Sequence, residues 1–301
     1  MNRIFNFIAF ALLAFASHGQ TSIQTKEIKI AYTNGNEIFR VCISGCGVNF
    51  DDNKEYFWYT DFSKIKSTKG GSGGNLLHGN YKFFDEYGNL RQEKNYYLGI
   101  PDGNEKNWDS LGNITSQKKY SKGTLVYWKF QNDEKYWIEW NGPIFEEGTI
   151  KKVYTQYNSL ISEQAYLPDF KQHTKTYFEY SGKIEEEYST SGFAGEYMTG
   201  KYTAYFENGK IKTTGQFHDG EYASIRVGTW NWYKSDGTLD ATQQYKAHIE
   251  KWSNGETKVA GGYILDTDTN LWLNTGEWIW CSEEGKVQSR KNYEWGVEIT
   301  D

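Results

Sequence analysis

The chain carries a repeated pattern of glycine, aromatic and aliphatic positions instead of long apolar runs. The segment from Gly228 to Tyr245 shows the pattern most clearly. Counted from its first glycine, aromatic residues follow at the second and fifth positions, glycine at the ninth, an aliphatic residue at the eleventh and Tyr or Phe at the seventeenth. Four other segments keep these spacings without gaps, and they begin at Gly79, Gly103, Gly200 and Gly276. Five copies in one register predict a tandem-repeat architecture.

Each repeat has the features of a β-hairpin. The second glycine follows a turn-forming residue, as in Asn208-Gly209 and Asp236-Gly237, and glycine permits the positive φ of a tight turn. The residues of the second strand are mostly polar, so one hairpin has little apolar area and must stack on its neighbours. The predicted fold class is therefore all-β, with tandem antiparallel β-hairpin repeats forming an extended twisted sheet.

The repeats divide the chain into segments. Residues 76–301 form the predicted repeat domain, in which 123–195 keep the aromatic residues but lose most turn glycines. Residues 67–75 are rich in glycine and serine, a composition typical of flexible linkers. Residues 20–66 are then expected to form a separate N-terminal β segment.

Residues 1–19 have the features of a cleaved signal peptide. Arg3 gives a positive start, Ile4 to Ala14 is almost wholly apolar, and Ala14-Phe15-Ala16 fits a small-x-small cleavage site. The apolar run is far shorter than the roughly 20 residues that span a bilayer, which favours cleavage over a membrane anchor. We therefore expect export to the periplasm, the outer surface or the medium.

The three cysteines fit an exported protein. In an oxidising compartment Cys42 and Cys46, in the N-terminal β segment, can close a small disulfide loop, and the alternative is two free thiols. Cys281 occupies an aromatic position of the repeat. We expect it to be a buried and inert thiol.

The pattern Gly-x-Trp-x-x-Tyr-x-x-x-Gly-x-Leu, from Gly228 to Leu239, resembles the MORN-repeat variant family, a bacterial set often described as antitoxin-component-like. The resemblance covers most of residues 76–296 and is patchy between 123 and 195. It implies a β-hairpin array that contacts protein partners or membrane surfaces, and it supplies no catalytic residues. An antitoxin would act in the cytoplasm, so the signal sequence indicates an exported member instead.

Composition and motifs narrow the function classes. The chain has 301 residues, of which 18% are aromatic, and a net charge of −6 without a cluster of Lys and Arg. This balance argues against a nucleic-acid partner. The histidines are isolated, and no nucleophile-elbow, zinc or phosphate-binding motif is present. We therefore expect a protein that is not an enzyme and needs no cofactor.

Four tryptophans form a candidate binding strip. Trp230 and Trp232 share one strand face, and Trp278 and Trp280 repeat the arrangement in another hairpin. Such a ladder serves either as core or as an exposed strip that stacks on sugars. The sequence leaves both interpretations open.

A weak calcium-site candidate precedes the last repeat. Asp266, Asp268, Asn270 and Glu277 have the spacing of ligands in a calcium loop. Leu271 stands where that loop needs glycine, and flanking helices are not expected. A polar insertion between repeats is the favoured interpretation.

These observations predict an exported, non-catalytic protein-binding or scaffolding module of the cell envelope. Its partner would be an envelope protein that binds a face of the sheet. The alternative is a carbohydrate-binding protein that holds a polysaccharide on the tryptophan strip. Open ends of the array would also allow a homodimer by edge pairing.

Overall fold

The computed structural model describes residues 22–61, 64–133, 135–192, 195–220 and 222–300, and the predicted signal peptide lies outside them. The described residues form strands and turns without a helix. The N-terminal strands are β1 (Gln24–Tyr32), β2 (Gly35–Ser44), β3 (Glu55–Tyr59), β4 (Lys66–Lys69), β5 (Asn75–Asp85), β6 (Leu90–Tyr97) and β7 (Ile100–Trp108). The next are β8 (Ile114–Ser121), β9 (Thr124–Gln131), β10 (Tyr136–Asn141), β11 (Ile150–Thr155), β12 (Leu160–Tyr166), β13 (Gln172–Tyr177) and β14 (Ile184–Ser191). The last are β15 (Tyr197–Tyr205), β16 (Ile211–Phe217), β17 (Arg226–Tyr233), β18 (Leu239–Lys251), β19 (Thr257–Asp266), β20 (Leu271–Cys281), β21 (Val287–Glu294) and β22 (Val297–Ile299).

Antiparallel pairing joins these strands into one open sheet. From β5 to β22 each strand pairs with the next one along the chain, which makes a continuous meander. The β1–β2 hairpin extends the sheet because β2 pairs with β5. The predicted all-β hairpin array is confirmed.

The N-terminal segment is part of this sheet. Phe39 of β2 lies opposite Tyr81 of β5, so the β1–β2 hairpin and the repeats share one hydrogen-bonded ladder. The stretch 67–75, expected to be a flexible linker, contains most of β4 and the first residue of β5. The β3–β4 hairpin pairs with the start of β5 and packs over the sheet. The sequence did not show this because β2 and β5 are far apart in the chain.

Turns of two kinds alternate along the meander. At one end of the strands, as in the first registered repeat, the Asp85 amide donates to the Asn89 carbonyl at 2.9 Å and the Gly88 amide donates to the Asp85 carbonyl at 3.0 Å. Gly88 has φ +83°, as the predicted tight turn requires. At the other end, Leu98-Gly99 and Lys122-Gly123 are two-residue turns in which both residues have positive φ, the pattern of type I′.

The apolar clusters lie towards the two ends of the sheet. Near the N-terminal end, Tyr59 of the β3–β4 hairpin packs edge-on against Phe39 with ring centroids 5.2 Å apart. Near the C-terminal end, the loop between β16 and β17 places Ile225 against Ile279 and the buried thiol of Cys281. Burial raises the pKa of that thiol, in keeping with an inert role.

A disulfide joins Cys42 and Cys46 at the end of β2, with their Cα atoms 5.9 Å apart. Cys42 is buried and belongs to a cluster that includes Tyr56 and Leu98. The disulfide therefore holds the chain leaving β2 against the β3–β4 hairpin, at the start of the segment that connects β2 to β3.

Candidate functional site

The first tryptophan pair of the proposed strip lies in the C-terminal core. Trp230, 2% exposed, lies flat over Gly215 of the neighbouring strand, and its Nε1 donates to the Gln216 carbonyl at 3.2 Å. Its ring stacks on Tyr202 at 5.5 Å. Trp232 is half-buried beside it, with ring centroids 6.2 Å apart.

The second pair repeats this arrangement. Trp278, 6% exposed, covers Gly261, and its Nε1 donates to the Gly262 carbonyl at 3.1 Å. His248 stacks on its ring at 5.3 Å, and Trp280 is half-buried at 6.3 Å. In both pairs a glycine leaves room for the indole to settle onto the sheet. The interpretation as an exposed strip is therefore wrong for Trp230 and Trp278.

The calcium-site candidate is a hairpin turn. Asp266 accepts hydrogen bonds from the neighbouring Thr269 hydroxyl at 2.6 Å and from the Asp268 amide at 3.0 Å. The hydroxyl contact, with the amide, holds the pKa of the Asp266 carboxyl below its usual value. Asn270 takes the left-handed turn position.

Glu277 lies away from that turn. It is six residues beyond the Leu271 end of β20, roughly 20 Å at strand spacing, and pairs with Arg290 at 2.8 Å. The structure therefore does not bring the four predicted ligands together. Within the described ranges, no cluster of three or more His, Cys, Asp or Glu side chains is arranged to hold a metal ion.

Strands β8 to β14 form what we call the central section, and it differs from both ends of the sheet. None of the four apolar clusters found in the described residues includes a residue of these strands. The β3–β4 hairpin covers other strands, and the β16–β17 loop reaches the central section at its β14 edge, where the Ser191 hydroxyl donates to the Gly220 carbonyl at 2.9 Å. The central section is thus a single layer, flanked by regions where a second layer is packed on the sheet.

One face of the central section carries the tryptophan patch, formed by Trp128, Phe130 and Trp140 with two lysines. Trp128 of β9 lies directly opposite Trp140 of β10, and Trp128 stacks on Phe130 at 4.3 Å. Lys118 lies over the Trp128 ring at 5.3 Å, and Lys151 lies over the Trp140 ring at 5.5 Å. Burial lowers the pKa of Lys151. Trp140 is 5% exposed, so Trp128 and Phe130 are the half-buried rings of the patch.

A buried carboxylate adjoins the patch. Glu105 occupies an aromatic position of the repeat and is 5% exposed. Its two oxygens lie 3.4 Å from Lys94 Nζ and 3.7 Å from Lys118 Nζ on the strands to either side. Burial, with the nearby Glu105 charge and hydrogen bond, raises the pKa of Tyr120 to about 12. Two cations therefore replace the aromatic packing that the repeat pattern predicts here.

The opposite face carries a lysine–glutamate ladder. The row runs straight across ten strands, and lysine and glutamate alternate along it except at Gln117, which stands in a glutamate position. Lys152 and Glu163 approach to 3.2 Å, and Lys175 and Glu187 to 3.6 Å. Because lysines face carboxylates along the row, this face has little unbalanced charge to offer a partner. Its members, in strand order, are Lys82, Glu93, Lys106, Gln117, Lys129, Glu139, Lys152, Glu163, Lys175 and Glu187.

Two segments match the family model described as MORN repeat variant. They are residues 77–96 and 198–219, which overlap the first and third of the five registered repeats. No curated protein matches the chain. The chain has 12% identity over 87% of its length to a chain of the solved complex "Crystal Structure of TcdB2-TccC3-Cdc42", with a TM-score of 0.13, and spans 19% of that chain. So low a TM-score supports no conclusion about fold or function.

The family match falls on hairpins that the sequence pattern also identifies, and it concerns a structural repeat. Within the described residues, no helix has the length and apolar character needed to cross a membrane.

Proposed function

We propose that the protein is an exported, non-catalytic binding or scaffolding module of the cell envelope, which binds a partner protein on the tryptophan patch. The observation that carries this proposal is the central section, where the half-buried rings of Trp128 and Phe130 lie on a face that no apolar cluster of the described chain covers. Tryptophan is among the side chains that contribute most to the binding energy of protein interfaces.

The charge around the patch indicates the kind of partner surface. Lys118 and Lys151 lie on either side of the rings, on strands β8 and β11. A partner that presents an apolar centre with acidic residues beside it would match this arrangement. Lys118 is shared with the buried Glu105, so Lys151 supplies the larger part of the positive charge beside the rings.

Affinity capture with two matched variants tests the proposal. Immobilised protein would be exposed to the solubilised envelope of the source organism, and bound proteins would be identified by mass spectrometry. Trp128→Ser removes a patch ring. Trp137→Ser removes an equally half-buried ring from the opposite face, where Lys129 lies over it at 5.7 Å.

We expect a stoichiometric protein partner that binds the wild type and Trp137→Ser but is lost with Trp128→Ser. Equal retention by all three proteins would contradict the patch as the binding surface. Retention of polysaccharide without a protein would instead support carbohydrate binding. Export is tested separately, by the N-terminal sequence of the protein recovered from the envelope fraction.

A further inference from the structure

Two phenylalanines occupy left-handed turn positions, a conformation that is uncommon for residues other than glycine and asparagine. Phe145, between β10 and β11, has φ +64°, and Phe170, between β12 and β13, has φ +55° directly after Asp169 at +57°. The Lys171 amide donates to the Pro168 carbonyl at 3.2 Å, which closes a turn of type I′ character.

In the comparable turns of this chain the second residue is glycine, as in Lys122-Gly123 and Trp295-Gly296. A side chain with a Cβ costs roughly 1–2 kcal/mol in the left-handed region. The left-handed conformation of Phe145 and Phe170 is therefore unfavourable for an isolated backbone, and surrounding contacts must maintain it. Residues kept in this way are concentrated at binding sites.

The two turns lie side by side and enclose a cleft of about 250 Å³. Phe145 and Phe170 are 58% and 69% exposed. The Phe145 ring is held by edge-on contacts to Trp140 at 5.1 Å and Tyr166 at 5.8 Å. The cleft thus has aromatic walls that are partly fixed by packing and partly presented to solvent.

The charges at the cleft have one sign. Glu147 and Asp169 line it, and both are exposed, while the buried amide of Gln172 lies deeper. No lysine or arginine is among its described lining residues. The nearest cation in the sequence, Lys171, is paired with Asp219 at 2.7 Å. The lining therefore combines aromatic rings with two carboxylates and no positive charge.

We propose that this cleft binds a lysine or arginine side chain of the partner protein. A cation over aromatic rings gains attraction from their π faces, and nearby carboxylates add charge-assisted hydrogen bonds. The volume is below that of sites for drug-sized ligands, which suits one long side chain. Lysine over an aromatic ring also recurs within this chain, for example Lys246 over Trp272 at 4.4 Å. The inference rests on the proposed function for the source of the cation, a protein.

Short capped peptides test the cleft directly. The probes are acetyl-Gly-Arg-Gly-amide and acetyl-Gly-Lys-Gly-amide, with acetyl-Gly-Gln-Gly-amide as the neutral control, titrated by NMR against the whole protein. Phe170→Gly removes one wall and at the same time relieves backbone strain, so its melting temperature should equal or exceed that of the wild type. Trp295→Gly removes an exposed ring from a remote turn of the same kind.

We expect the two cationic peptides to shift resonances of the cleft, with at least tenfold weaker binding by Phe170→Gly and by the double variant Glu147→Gln/Asp169→Asn. Trp295→Gly should bind like the wild type. Equal binding of the Gln peptide, or unchanged binding by Phe170→Gly, would overturn the proposal.

The two proposals can fail separately. Trp128→Ser should lose the captured partner but keep peptide binding, because Trp128 does not line the cleft. If capture depends on Trp128 but no peptide binds, the proposed function stands and the cleft is not a cation-binding site. If the peptides bind but no partner is captured, the cleft binds cations and the proposed function is contradicted.

Discussion

Replacing Gly215 with alanine should lower the free energy of unfolding by about 1–3 kcal/mol. The added methyl group would overlap the indole of Trp230, which packs over this residue. The backbone conformation at this position is compatible with alanine, since Gly215 is not among the residues with positive φ. Alanine in a strand is otherwise favoured over glycine by roughly 0.5–1 kcal/mol, so any destabilisation must come from the contact with the ring.

The magnitude follows from what holds the ring in place. Trp230 contacts Phe217 at 5.1 Å and Tyr202 at 5.5 Å, so it has little freedom to move away. Overpacking of this kind costs about 1–3 kcal/mol. A displaced indole would also lose its hydrogen bond to Gln216, worth about 1 kcal/mol. The strand preference for alanine offsets part of this cost.

Urea unfolding followed by tryptophan fluorescence measures the change. Gly71→Ala is the control, because a methyl group there meets nothing within 4 Å and its φ is ordinary. It should change stability by less than about 0.5 kcal/mol. Combining Gly215→Ala with Trp230→Leu should cost at least about 1 kcal/mol less than the two single changes together.

An unchanged urea midpoint for Gly215→Ala would refute the packing described for Trp230. So would strict additivity in the double variant. Gly261→Ala should reproduce the effect through Trp278, since the same contact is built there.

Three further outcomes follow from charges in the sheet. Glu105→Gln should reduce stability by about 1–2 kcal/mol in urea unfolding, because two flanking lysines lose their buried counter-charge. Hydrogen bonds from the Asn113 side chain and amide lower the pKa of Asp109, so its stabilising contribution is present above about pH 4 and is lost as pH falls through the depressed folded value. The urea midpoint should therefore differ less between pH 7 and pH 3 in Asp109→Asn than in the wild type. Glu163→Gln in the ladder should cost less than about 1 kcal/mol at low salt, and a larger loss would contradict the solvent-screened picture of that row.

The hairpins were predictable because their determinants are local. The glycine nine positions into each repeat allows the positive φ of the hairpin turn, and Gly88 and Gly237 adopt that conformation. Cys281 was assigned to the core for the same reason, since it replaces a template aromatic. The fold class therefore followed from spacing alone.

The surfaces were not predictable because they depend on register between distant strands. Trp128 and Trp140 belong to the stretch 123–195 that keeps the aromatic residues, but only the pairing of β9 with β10 places them side by side. Gly215 lies outside the repeat pattern, and its role appears only when the next hairpin lays Trp230 on it. Phe170 gave no signal at all, since phenylalanine is an unexpected residue for its backbone conformation.

When a pulling force is applied to the two ends of a meander, each pair of neighbouring strands carries the same force in turn. Force applied to the two ends passes through every strand pair, and the pairs that lack a second layer should yield first. Those pairs lie in the central section, between a disulfide-tied end and a tryptophan-packed end. Pulling on the protein in an optical trap should therefore extend β8 to β14 at lower force than either end, and a partner bound there would stiffen the whole molecule.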